Sequence, residues 1–116
     1  MHWIYAHLIG DYILQTDWMA RTKKKSWFAC LVHVTTYLIP FMACGLHWWQ
    51  IAAIGAQHAV QDRCNCIRWV FSHTGKKEFL EPPMAPWSLI LLDNIVHILW
   101  IAFVAWLGET RLFPFR

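Results

Sequence analysis

Histidine and aspartate recur in this chain at a spacing that suits metal coordination. Three pairs lie four residues apart: His7 and Asp11, His58 and Asp62, and Asp93 and His97. On an α-helix this spacing places both side chains on one face, one turn apart, where they can share an ion or a hydrogen bond. Three of the four aspartates have such a histidine, which happens in about one random chain of this composition in a hundred. The pairs therefore indicate a functional cluster.

These pairs and one further histidine make up the set of candidate metal ligands: His7, Asp11, His33, His58, Asp62, Asp93 and His97. Neutral imidazole and ionised carboxylate suit zinc, with manganese or iron as alternatives, better than they suit calcium. Because one zinc needs three or four protein ligands, the set is large enough for one or two divalent ions. Two-metal centres activate a bound water for hydrolysis of phosphate or acyl groups.

The three paired aspartates are also the candidate catalytic residues: Asp11, Asp62 and Asp93. They would act as anionic ligands, or one of them as a general base. Gln15, Tyr37 and Asn94 are candidates to orient the ligands or a substrate. For Tyr37 a packing role is the alternative, since its ring fits an apolar helix bundle.

Other interpretations of the same residues stay open. The His–Asp pairs can be hydrogen-bonded contacts between helices with no ion. Haem held by His33 and His97 is another possibility, which carboxylates at one-turn spacing disfavour. The sequence has no G-x-S-x-G, Walker A or Rossmann motif, which argues against serine-hydrolase, nucleotide and dinucleotide chemistry.

The elements that must position these residues are four apolar segments, at about 3–20, 27–46, 48–71 and 87–107. Of the 116 residues, 58 % are hydrophobic and 15 % charged, which is too apolar for the core of one small water-soluble domain. The composition excludes a disordered tail and a nucleic-acid-binding arm. We therefore expect an all-α polytopic membrane protein, in which residues 1–116 form one transmembrane four-helix domain and Pro40 kinks the second helix.

Tryptophan and basic residues mark the ends of the segments. Tryptophans near the proposed boundaries are typical of interfacial belts: Trp3, Trp18, Trp27, Trp48, Trp49, Trp69, Trp87 and Trp106. The basic runs at 21–25 and 63–77 lie on one side of the membrane, so the positive-inside rule places them in the cytoplasm and both termini outside, although Arg111 and Arg116 oppose this orientation. The candidate ligands then lie roughly 9–20 Å deep, in one layer.

The opening block, His7-Leu8, Asp11-Tyr12 and Gln15, resembles a family of small bacterial and phage membrane proteins of unknown function that begin H-L-x-x-D-[FY]-x-x-Q. His33 with Tyr37, His58-x-x-x-Asp62-Arg63 and Asp93-x-x-x-His97 resemble later parts of that pattern. The resemblance implies a multi-pass protein of the bacterial inner membrane, with a polar core formed by His7, Asp11, Gln15, His33, His58, Asp62, Asp93 and His97. More distantly, the layout is similar to that of inner-membrane metal-dependent hydrolases.

The sequence therefore predicts an integral membrane metalloprotein with an intramembrane His/Asp site. In its boldest form it is a metal-dependent hydrolase of a lipid or phosphoester. The alternative is a non-enzymatic membrane effector of phage or bacterial origin, or an ion- or proton-conducting protein, in which the same residues bind cations or relay protons. Membrane lipids are the expected partners, a homo-oligomer fits the large apolar surface, and no nucleic-acid partner is expected.

Overall fold

A computed structural model describes residues 1–110, and all the regular structure in that range is helical. The predicted all-α fold is therefore confirmed for these residues, while Arg111 and Arg116 lie outside them. Residues 1–110 form six α-helices: α1 (Trp3–Leu8), α2 (Asp17–Thr22), α3 (Trp27–Leu38), α4 (Trp48–Arg63), α5 (Cys66–His73) and α6 (Trp87–Glu109). A π-helix (Ile9–Ile13) follows α1, and 3₁₀ helices follow α3 (Pro40–Cys44) and precede α6 (Glu78–Leu80).

The second and fourth apolar segments form long helical stretches near the expected bounds. α3 begins after Ser26, whose hydroxyl oxygen accepts a hydrogen bond from the Ala29 N–H. It ends at Leu38, and Pro40 opens the 3₁₀ helix where a kink was expected. α6 begins directly after Pro86 and continues without interruption for 23 residues.

The first and third segments are each interrupted, where the sequence predicts continuous helices over 3–20 and 48–71. Thr16 has extended backbone and caps α2, because its hydroxyl oxygen accepts from the Met19 N–H. Cys64 is also extended, and the chain turns there before α5 begins. These local backbone conformations end one helix and begin the next, and a hydropathy profile does not detect them.

Two helical segments in the described part of the chain are long and apolar enough to cross a membrane, Trp27–Cys44 and Trp87–Glu109. The expected four spans are thus reduced to two candidates. α1 has six residues, and at 1.5 Å per residue it is far shorter than a hydrocarbon core of about 30 Å. α4 has 16 residues and carries a polar face. Core helices of soluble proteins pass the same test, but fewer than half of the residues in each candidate span are buried here.

Helix α4 packs against α3 on one side and against α6 on the other, and these three helices form the frame of the molecule. One apolar cluster includes Tyr37, Ile54 and Ile101, and a smaller one consists of Ile67, Leu80 and Leu92. Along α6, the polar residues at 93–97 fall between these clusters. The frame therefore encloses a polar layer between two apolar ones.

The π-helix approaches α3 very closely at Gly10. A Cβ atom there would lie 2.8 Å from the Tyr37 carbonyl oxygen, a contact that the backbone cannot relieve by a side-chain movement. Only glycine permits this approach, which brings Asp11 to the polar layer. π-turns of this kind occur often at functional sites.

Candidate metal centre

Four of the predicted ligands converge in the polar layer: Asp11, His33, His58 and Asp62. The π-helix supplies Asp11, α3 supplies His33, and α4 supplies the pair one turn apart. One ligand atom from each residue lies within 4.8 Å of the others. Both histidines and Asp62 are buried. The helices thus position two imidazoles and two carboxylates around one point.

The distances between these atoms match tetrahedral coordination. His33 Nε2 lies 3.0 Å from His58 Nε2, and these nitrogens lie 3.0 and 3.1 Å from Asp62 Oδ2. Their distances to Asp11 Oδ1 are 3.3 and 3.4 Å. Zinc–ligand bonds of about 2.0 Å give a tetrahedron with edges of about 3.3 Å. The five measured edges all lie within about 0.3 Å of that value.

Hydrogen bonds alone do not satisfy this group. Asp11 Oδ1 and His97 Nε2 are buried with no hydrogen-bond partner among residues 1–110, although imidazole nitrogens approach Asp11 at ion-pair distance. Such orphaned atoms cost about 1–3 kcal/mol each. Two N–H groups cannot face each other at 3.0 Å, so either His33 or His58 presents a lone pair to the centre. A shared cation would satisfy the orphaned carboxylate and this lone pair together.

The Nδ1 atoms of His33 and His58 point away from the centre that their Nε2 atoms face. The Nδ1 atoms of His33 and His58 are also buried, with no hydrogen-bond partner in the described range. The His58 ring is instead held by stacking on Tyr37, with ring centroids 3.7 Å apart and planes 14° from parallel. Packing rather than an outer hydrogen bond therefore fixes the orientation of this ring.

A second group adjoins the first and consists of Asp62, Asp93 and His97. His97 Nε2 lies 3.4 Å from Asp62 Oδ1 and 3.5 Å from Asp93 Oδ2. The Gln61 amide donates to Asp93 Oδ1 at 2.9 Å, and Gln57 Oε1 lies 3.3 Å from His97 Nδ1. Asp62 belongs to both groups, with Oδ2 facing one and Oδ1 the other. Asp62 therefore offers a different carboxylate oxygen to each group.

His7 lies beside the centre, and its ring nitrogens are not among the converging atoms. Its Nδ1 pairs with the Tyr37 hydroxyl at 2.9 Å, and its Nε2 with Asn94 Oδ1 at 3.0 Å. The nearest atom of Asp11, Oδ2, is 3.8 Å from Nδ1. The π-helix changes the angular offset between His7 and Asp11, so the spacing of four does not make them one chelating pair. Two of the predicted orienting residues, Tyr37 and Asn94, thus both hold His7.

Lys23 reaches the centre, which sequence reasoning missed. Its Nζ lies 2.8 Å from Asp62 Oδ2 and 2.8 Å from Gln15 Oε1. The third predicted orienting residue, Gln15, therefore contacts the site through this ammonium group. In the sequence Lys23 is one of a basic run and is interpreted as a topology signal. After the break at Thr16, α2 packs on α3, and the Lys23 side chain reaches Asp62 on α4. No pattern of hydropathy or charge indicates that break.

A cleft of about 290 Å³ opens onto the three carboxylates of the two groups. Cationic side chains also line it, from Lys23, Lys24 and Arg68. Its apolar wall includes Ile67, Leu89 and Ile90. Asp93, with 32 % of its side chain exposed, is the most accessible of the carboxylates. Water and an anionic ligand can therefore reach a centre that is otherwise enclosed.

Comparison with known proteins identifies the family to which the chain belongs. No match is found among curated proteins or among solved structures. The model of one family, described as "Protein of unknown function (DUF3307)", matches residues 1–112. Since that match extends over nearly the whole chain, the protein belongs to the DUF3307 family.

Proposed function

We propose that this protein is a membrane-embedded metalloenzyme that holds two divalent transition-metal ions and hydrolyses a phosphoester. The observation that carries the proposal is the position of Asp62, whose two oxygens face two separate groups of ligand atoms. Single-ion sites do not need a carboxylate shared in this way. Paired ions about 3.5–4 Å apart are typical of phosphatases and nucleases.

The two groups differ in the coordination that they offer. Asp11, His33, His58 and Asp62 complete a tetrahedral set, which is typical of zinc. Asp62, Asp93 and His97 supply three ligands and leave a position free for water or substrate, as catalytic sites do. Zinc is the favoured metal, and manganese or iron is the alternative for a carboxylate-rich set.

A two-metal centre supplies an activated water and stabilises the charge that develops on the phosphoryl oxygens. The remaining roles fall to groups that line the cleft. Asp93 is accessible and held by Gln61, so it is placed to accept a proton from the attacking water. Lys23, already in contact with Asp62, is placed to donate to an anionic ligand.

The exposed apolar surface supports a location in the bacterial inner membrane with several crossings. Large hydrophobic side chains lie exposed along both candidate spans, among them Phe28, Leu31, Leu99 and Phe103. A contiguous surface of this kind is unfavourable in water and favourable among lipid chains. The interrupted first and third segments would then lie against the two spans, within the bundle or at its edge.

A metal-free proton pathway is the second candidate function. One observation favours it: titratable groups lie in succession at 3.1–3.5 Å from the buried His58 through Asp62 and His97 to the partly exposed Asp93. Chains of this kind carry protons in membrane proteins. In that case the His–Asp cluster would relay protons, and Lys23 would be the permanent counter-charge of Asp62.

Elemental analysis of protein purified in a neutral detergent tests the metal proposal. We expect about two equivalents of transition metal per chain, about one in Asp93→Asn, and almost none in Asp62→Asn, because a neutral amide at the bridging position would remove the shared anionic ligand. The matched control is Asp17→Asn, which changes the one aspartate outside the cluster.

Release of inorganic phosphate from dodecyl phosphate tests catalysis. The wild-type protein should be active, inactive after chelation, and active again after zinc is restored. Less than about half an equivalent of metal in the wild type, together with proton flux in liposomes, would overturn the proposal in favour of the second candidate.

A further inference from the structure

We infer that the cleft binds the head group of an amphiphilic phosphomonoester, with the apolar chain of that ligand lying along α6 in the membrane. The inference rests on the proposed function and adds its substrate class. It comes from three features of the cleft: its charge, its size and the surface beside its mouth.

The charges of the lining favour an anion with more than one negative charge. Three carboxylates and three cationic side chains line the cleft, so their formal charges cancel. Each divalent ion that binds the carboxylates then leaves two positive charges without a partner. A phosphomonoester carries close to two negative charges at neutral pH, whereas a phosphodiester carries one.

Two of the cations are free to contact such a head group. The Lys24 ammonium contacts only backbone carbonyl oxygens within the described range, those of Asp62 and Cys64 at 3.3 Å. Arg68 has one loose ion pair among residues 1–110, 3.9 Å from Glu81, and both side chains are about half exposed. Exposed pairs of this length contribute little. Both cations can therefore turn to a phosphate without losing a strong partner.

The size of the cleft limits the head group. A cleft of about 290 Å³ lies at the lower end of the range of small-molecule sites. It has room for a phosphate and a few further atoms, and it is small for a nucleotide.

The mouth of the cleft adjoins apolar surface on one side. Ile90 on α6 and Tyr12 on the π-helix line the cleft, and 53 % and 55 % of their surfaces remain exposed. The next residue on each element, Leu91 and Ile13, is also exposed and lies outside the cleft lining. An alkyl chain attached to the phosphate would cover this exposed surface, and each methylene group buried there would strengthen binding.

Phosphonate binding to the metal-loaded protein, measured by calorimetry in a neutral maltoside detergent, tests this inference. Dodecylphosphonate carries the head group and chain and resists hydrolysis, and ethylphosphonate carries the head group alone. We expect dodecylphosphonate to bind at least about 10-fold more tightly. Lys24→Gln combined with Arg68→Gln should weaken its binding about 10-fold with no loss of bound metal. The control Lys25→Gln changes an exposed lysine outside the cleft and should leave binding unchanged.

The outcomes separate this inference from the proposed function. Equal binding of the two phosphonates would overturn it in favour of a water-soluble phosphoester. Binding that the double variant leaves intact would also overturn it, because the head group would then lie elsewhere. Tight, cation-dependent binding of dodecylphosphonate without turnover of dodecyl phosphate would support the inference and overturn the hydrolase proposal alone.

Discussion

Lys23 provides a counter-charge for Asp62, a carboxylate of the proposed metal centre. Lys23 Nζ lies 2.8 Å from the carboxylate oxygen that also faces His33 and His58. A buried carboxylate without a counter-charge is strongly unfavourable. In the metal-free protein the ammonium group supplies that charge, and under the proposed function the bound cation would supply it in the metal-loaded protein.

Lys23→Met is therefore expected to destabilise only the metal-free form. The free energy of unfolding should fall by roughly 2 kcal/mol after chelation, less than for a fully enclosed ion pair because Lys23 is partly exposed. With metal bound, stability should change little. Thermal unfolding followed by tryptophan fluorescence, with and without chelator, measures both values. An equal loss in both forms would contradict this role, and Lys25→Met is the matched control.

Some of the side-chain contacts in the candidate site can be predicted from the sequence, and others cannot. The i,i+4 spacing of His58 with Asp62, and of Asp93 with His97, places each pair on one helix face as the structure has them. Their role as ligands stays a prediction. Lys23 could not be found in this way, because its position depends on the break in the helix at Thr16 rather than on a period within a helix.

Among the elements, the π-helix is the one on which the centre depends most. It carries Asp11, and it packs on α3 through the close approach of Gly10 to Tyr37. Tyr37 in turn holds His7 and stacks on His58. A displacement of this contact would therefore move ligands on two elements.

Gly10→Ala tests that dependence. The added methyl group would meet Tyr37 backbone atoms, so α1 and the π-helix must move away from α3, and we expect at least a 10-fold loss of affinity for the first metal. In the control Gly55→Ala, the new Cβ meets only the flexible end of the Leu38 side chain. That variant should keep its metal affinity, measured by competition with a chromogenic chelator. Similar losses in both variants would contradict the special role of Gly10.

The helices also differ in how well a hydropathy profile predicts their bounds. It predicts α6 almost to its ends, because a long apolar run starting after Pro86 has no competing signal. The first and third segments each contain a residue with extended backbone, Thr16 or Cys64. The helix is broken at that residue, and the hydropathy of its neighbours does not reveal the break. The π-helix has no sequence pattern of its own, so the displacement of His7 from the centre could not be foreseen.

For the molecule as a whole, the exposed apolar faces of the two candidate spans are the dominant feature. Leu99 lies near the middle of α6, and 64 % of its surface is exposed. In water, a change of an exposed leucine to lysine is nearly neutral. At the centre of a bilayer, lysine costs about 2.5–3.5 kcal/mol in insertion experiments.

Leu99→Lys consequently distinguishes a lipid-facing surface from a water-facing one. We expect a substantial loss of protein from the alkali-resistant membrane fraction, measured by immunoblot after carbonate extraction. The control His73→Lys adds a lysine at an exposed position at the end of α5, outside the candidate spans, and should fractionate as the wild type does. If both variants and the wild type are recovered in the soluble fraction, the membrane assignment is wrong.

The tethered ammonium of Lys23 also bears on how cells would produce this protein. Since the chain carries its own counter-ion for Asp62, folding need not wait for a transition element to be delivered. If the proposed centre holds zinc, cells starved of zinc would accumulate an intact but inactive protein. Resupply of the metal would then activate that protein without new translation.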